Sequence, residues 1–172
     1  MEYRDIYDIN RYPTGRKILR GAELQADEYY IVVHGCIINS DKKMLIQQRS
    51  ENKKAFPNAW DVSFGGSVIS GETSQQAVAR EMLEELGIKY DFSMRRPNMT
   101  MNFDHGFDDF YLIELDVSLE EISVQSSEVK DVRWACCDEI IEMISDGSFI
   151  PFQPNFIKLI FDTYNRPDCL DI

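Results

Sequence analysis

Long apolar runs are missing from this chain. The longest, such as residues 30–33, fall far short of a bilayer's thickness, and the opening MEYRDIYDIN is charged and has no apolar core of a signal peptide. Neither a membrane partner nor export is expected, and the cytoplasm is the expected setting. Histidine is nearly absent, with His34 and His105 alone, so a histidine-rich metal site cannot be built. The four cysteines, Cys36, Cys136, Cys137 and Cys169, form no C-x-x-C pair, which excludes the usual zinc spacings. Adjacent Cys136 and Cys137 are badly placed to bridge each other, and reduced thiols are the expected state. Positive charge is scarce as well: 18 Lys and Arg stand against 30 Asp and Glu, a formal net charge of −12. Such a field repels nucleic acid, so no nucleic-acid partner is expected. A phosphate-bearing substrate would be repelled too, unless metal ions or a few Lys and Arg supply positive charge where it binds.

Repeats, low-complexity tracts and Pro/Gly/Ser linkers are also lacking, so residues 1–172 are expected to form a single domain. What is present suits a soluble globular protein: 44% hydrophobic and 28% charged residues in 172. Residues 3–8 and 16–20, around the Tyr12-Pro13-Thr14-Gly15 turn, read as an N-terminal hairpin or extension within 1–25. Tyr29–Ile38 and Met44–Gln48 read as strands joined by a polar turn, and Trp60–Phe64 as a shorter strand leading into a Gly65-Gly66 turn. Thr73–Leu86 has no Pro or Gly and ends at Gly87, which reads as a helix capped by Thr73 or Ser74. Strands are expected near 88–92, 97–103, 108–117 and 129–135, and helices over Asp138–Ser145 and Pro154–Tyr164. Mixed strands with helices in the middle and at the end imply an α/β fold, an α/β/α sandwich with a mixed β-sheet.

The chemistry concentrates in residues 66–88. At about 100° per residue, Glu81, Glu84 and Glu85 share one helical stripe and Val78, Met82 and Leu86 the next, so one stripe packs and the other is presented. Like charges at these spacings repel by roughly 0.2–0.5 kcal/mol per pair, and a hard divalent cation would offset this while also bridging phosphate oxygens. Gly65 and Gly66 let the backbone approach such a cation. On an acidic protein, three glutamates alone are more simply a solvated surface. The complete pattern is harder to dismiss: Gly66, Glu72, Arg80, Glu81, Glu84, Glu85 and Gly87, with Met82 and Ile88 at aliphatic positions.

This segment resembles the Nudix box, G-x5-E-x7-R-E-U-x-E-E-x-G-U, with every fixed position filled. The resemblance implies a Nudix-type sandwich that binds Mg2+ or Mn2+ and cleaves a nucleoside diphosphate linked to another moiety. It implies that Glu81, Glu84 and Glu85 are metal ligands, one of them the base toward water, with the Gly66 carbonyl as a further ligand. Arg80 is similar to the arginine that orients a catalytic glutamate, and Glu72 to the acid that braces the loop. Ile46-Gln47-Gln48-Arg49-Ser50, Lys53-Lys54, Pro57 and Trp60-Asp61 resemble the branch that holds isopentenyl-diphosphate isomerase and its hydrolase relatives. The isomerase cysteine aligns with Gly65, its following histidine with Ser67 and an upstream metal histidine near Tyr30, so hydrolysis is favoured over isomerisation. His34 reads as a packed or hydrogen-bonded residue. Arg49, Lys53 and Glu128 are candidates for substrate binding, and Asp108, Asp109 or Glu128 for an additional acid. Phe103, Phe107 and Phe110 could stack on a base, although aromatics in strands more often belong to the core. A small-molecule diphosphate is the expected partner; a homodimer and a non-catalytic nucleotide-binding role stay open.

Overall fold

The computed structural model describes residues 2–166, so Cys169 lies outside the described residues. Strands β1 (Tyr3–Tyr7) and β2 (Pro13–Leu19) pair antiparallel as a hairpin, but it turns over residues 8–12, and Pro13, Thr14 and Gly15, expected in the turn, open β2. The larger sheet is mixed and is built on β3 (Tyr30–Ile38). Apolar residues on both faces of β3 mark a strand covered on both sides. Along one edge β3 pairs in parallel with β8 (Gly106–Glu114), which pairs antiparallel with the edge strand β7 (Met99–Phe103). On its other edge β3 meets β4 (Met44–Arg49) only at Ile38↔Met44; β6 (Phe64–Ser67) then takes β4's place from Gly35 to Val32. Strands β5 (Trp60–Asp61) and β9 (Val129–Ala135) pair with β4.

One layer is α1 (Ser74–Leu86), whose Ala77, Val78, Met82 and Leu86 are buried against Ile31, Val33, Ile37 and Leu45 of the sheet. Each large side chain buried this way stabilises by roughly 1.5–3 kcal/mol. Thr73 caps the helix in a reciprocal capping box with Gln76, and Gly87 ends it at φ 72°, a conformation that glycine adopts without a Cβ penalty. The opposite layer is α2 (Cys137–Asp146) and α3 (Pro154–Thr163); Ile140, Ile157 and Ile160 pack on Cys36, Ile38, Met44 and Leu112. The result is the α/β/α sandwich with a mixed sheet. No helix among the described residues is long and apolar enough to cross a membrane.

Four further expectations need correction. Residues 88–92 form no strand: Phe92 is buried beneath Tyr111 and Tyr90, so their β-like composition serves core packing and not a ladder. Gly65 and Gly66 are not a turn, because they pair with His34 and Val33 inside β6. The single strand expected over Trp60–Phe64 is therefore two, β5 on β4 and β6 on β3, which is how the chain crosses where those strands diverge. Strand β8 also begins two residues earlier than expected and ends at Glu114.

Candidate active site

Arg80 is the hub of the helical face. Its Nε and Nη2 donate to the two Glu72 oxygens at 2.8 and 3.0 Å, and Nη2 also reaches the Ser67 carbonyl at 3.1 Å. Its Nη1 donates to Glu81 Oε1 at 2.8 Å and to Glu84 Oε2 at 3.0 Å. Burial works against the guanidinium charge, but the bonds to Glu72 and the charge of Glu81 more than reverse this and hold its pKa above the ordinary value. Glu72 in turn accepts from the Ile69 N–H at 3.2 Å, so one arginine ties the loop to the helix.

The glutamates are not equally presented. Glu84 lies on the surface beside Arg80, whereas Glu81 and Glu85 are only 8% and 3% exposed, so the stripe expected to face solvent turns two of its three carboxylates inward. They face the place where β4 and β6 part. Glu85 Oε2 accepts from Gln47 Nε2 at 2.9 Å and from the Gly65 N–H at 3.1 Å, leaving Oε1 toward Lys53 Nζ at 3.9 Å. Burial, helped by the Glu81 charge, pushes the Glu85 carboxyl up to about 7 against the pull of those donors. Burial also raises Glu81, opposed by Arg80.

Glycine is required beside them. A Cβ on Gly66 would fall 2.1 Å from Glu81 Oε1, so the carboxylate lies directly against the bare backbone of β6. Two buried like charges, an exposed third and a main-chain strand that only glycine can supply are a donor set suited to a hard divalent cation. Among the described residues, no three His, Cys, Asp or Glu side chains have already converged to hold one, because Glu84 is turned onto Arg80.

The other candidates divide. Lys53 joins the site by an ion pair with Glu128 while facing Glu85, and burial lowers its pKa. Arg49 is held by Asp61 at 3.1 Å and by the Ala55 carbonyl at 3.1 Å. Asp108 binds His34 Nδ1 at 2.7 Å, and the His34 ring stacks on Phe110 with centroids 5.1 Å apart. Burial disfavours the charged imidazole, but the Asp108 bond outweighs it and the pKa is raised. Asp109 is fully buried and taken up by Arg11, Thr100 and Ser74, which leaves it no free oxygen for the box. Phe107 and Phe110 belong to the core, and Phe103 packs edge-on to Tyr30. Gln47, which fixes Glu85, was not singled out from the sequence. Alternation with Leu45, whose side chain faces α1, was the available signal.

A model of the NUDIX domain matches residues 29–159. An uncharacterized Nudix hydrolase of Listeria monocytogenes is 41% identical over 165 residues, covering 96% of each chain. Among solved structures, one from Deinococcus radiodurans superposes with a TM-score of 0.75 at 24% identity, covering 95% of this chain and all of that one. A bifunctional NMN adenylyltransferase/ADP ribose pyrophosphatase of Francisella tularensis, solved with AMP and a manganese ion, has a TM-score of 0.61 at 22% identity. That match covers 78% of this chain and 41% of that one.

Proposed function

The chain belongs to the Nudix hydrolase family, and from that membership we propose that it uses Mg2+ or Mn2+ to cleave a diphosphate linkage in a nucleoside diphosphate derivative or related organic diphosphate, by attack of water at phosphorus. The observation that carries the reading is the burial of Glu81 and Glu85 against the bare backbone of Gly65 and Gly66, with Lys53 Nζ standing 3.9 Å from Glu85. Glu81, Glu84, Glu85 and the Gly66 carbonyl would hold the cation. When bound it supplies the positive charge that a −12 chain lacks, lowers the pKa of a water and screens the diphosphate oxygens. The manganese-bound neighbour supports this choice of ion.

The chain's own groups do the positioning. Gln47 and the Gly65 N–H lock Glu85 Oε2, so Oε1 keeps one orientation toward the reaction space. Burial raises this carboxyl to about 7 in the metal-free protein, and a bound cation would draw it back to the carboxylate form that a general base needs. Arg80 keeps Glu81 and Glu72 in place by charged hydrogen bonds. Lys53, paired with Glu128, stands where it can meet a phosphate oxygen, and Arg49 borders that strand end. Residue 65 is glycine where the isomerase branch carries its cysteine, and a Cβ there would sit 2.5 Å from His34 Cδ2 and 2.8 Å from the Val33 carbonyl. The reading takes residues 1–172 as one domain, since Arg11 of the hairpin anchors on Asp109 of β8, and sets it in the cytoplasm with Cys36 a buried thiol.

A screen of nucleoside diphosphates, dinucleotides, sugar nucleotides and coenzyme A derivatives, with and without Mg2+ or Mn2+, tests the proposal. Turnover of at least one class that chelation abolishes is expected. Tight binding of one compound with hydrolysis of none would make the protein a binding module.

A further inference from the structure

Positive charge is scarce in this chain, yet Arg11, Arg95, Arg96 and Arg166 line one cavity of about 910 Å3. No Asp or Glu lines it among the described residues, and Met99 and Leu159 contribute an apolar wall. This cavity lies at the free edge of the sheet, between β7, α3 and the segment before β7. It is set apart from Gly66 and the glutamate site. The cross-strand row Gly66–Val33–Asp109–Thr100 spans three strand spacings, about 14 Å at about 4.8 Å each.

The arginines are held on a prepared frame. Arg11 is pinned by the buried Asp109, which offsets part of its charge. Arg95 donates to the Tyr90 hydroxyl at 2.6 Å, its own N–H bonds the Phe92 carbonyl at 2.9 Å, and its carbonyl accepts from Gln75 Nε2 at 3.2 Å. Asn98 closes the segment by accepting the Leu112 N–H at 2.9 Å. Between these anchors Arg96 is exposed and has no hydrogen bond or ion pair among the described residues. A guanidinium fork left unmatched beside other cations is suited to phosphate or carboxylate oxygens. An anion entering beside Arg96 would gain its unmatched charge without having to displace an ion pair of that residue.

We infer that this edge cavity is a second binding site, for a small amphipathic anion: a phosphate or carboxylate group carried on an apolar or planar body. The volume lies within the range of about 300–1,000 Å3 typical of small-molecule sites, and the mixed apolar and arginine lining matches both halves of such a ligand. Met101 lines this cavity and also an adjacent aromatic cleft of about 410 Å3 walled by Phe110, Phe152 and Phe156. The site does not depend on the hydrolase reading, because none of Gly66, Glu72, Arg80, Glu81, Glu84 and Glu85 lines it.

Phenyl phosphate is the probe, titrated into full-length protein in the presence of a chelator and followed by NMR. Saturable binding is expected, with shifts clustered at Arg96, Met99, Met101 and Leu159. Arg96→Glu should weaken it at least tenfold, and Arg96→Lys, which keeps the charge but loses the fork, by an intermediate factor. Lys43→Glu, an equal change of net charge at an exposed turn, should change it less than twofold. Absence of saturable binding, shifts centred on Glu81 and Glu85, or equal losses in the Arg96→Glu and Lys43→Glu proteins would each overturn the inference.

Discussion

Replacing Glu85 with Gln tests how the buried carboxylate is held. The folded protein raises this carboxyl from 4.5 to about 7, mainly through burial at 3% exposure. Below about pH 4.5 the group is protonated in both folded and unfolded chains, so it contributes no pH dependence there. Between that value and about 7 the folded chain keeps a proton that the unfolded chain has lost, and stability falls as pH rises. Above about 7 the loss is complete. At about 1.4 kcal/mol for each tenfold change in proton affinity, it amounts to roughly 3 kcal/mol. Glutamine, close in shape to the protonated acid, escapes this loss, and the pull of Lys53, Gln47 and Gly65 on the charged form is already contained in the value of about 7. In chelator, urea unfolding should show Glu85→Gln within about 1 kcal/mol of wild type at pH 5 and roughly 3 kcal/mol more stable at pH 8, with turnover abolished when metal is restored. A stability difference that is the same at pH 5 and 8, or a variant less stable at pH 8, would refute the reasoning.

Other perturbations probe separate parts of the structure. Gly66→Ala drives a Cβ against Glu81 Oε1 and should cut kcat on the order of a hundredfold, the scale of a misplaced catalytic group, with weaker metal activation measured by steady-state kinetics. Arg80→Lys cannot make the paired bonds to Glu72; kcat should drop at least tenfold and thermal unfolding should report a loss of about 1–3 kcal/mol. Asp109→Ala leaves Arg11 without its buried partner. Chemical denaturation should show about 2 kcal/mol lost, below the value for a fully buried pair because Arg11 is 32% exposed. Gly35→Ala places a Cβ 1.9 Å from the Phe64 ring and should destabilise by about 1–3 kcal/mol, with lower soluble yield.

The amino-acid sequence alone determined the helix of the box and its limits. Thr73, Gln76 and Gly87 act within a few residues of one another, and the apolar spacing of Val78, Met82 and Leu86 is a local property of the chain. It also carried the family pattern, because the box is continuous in sequence. Tertiary structure decided which glutamates are buried: the part of α1 that meets the opening between β4 and β6 depends on strands far away in sequence. Local composition could not reveal that Gly65 and Gly66 lie in a strand, since their ladder partners are His34 and Val33. Nor could it settle the acids of β8, where alternation sends Asp108 to His34 on one face and Asp109 to Arg11 on the other. Gathering four arginines at the sheet edge likewise took the fold, which brings residues 11, 95, 96 and 166 together from the hairpin, the segment before β7 and the end of α3.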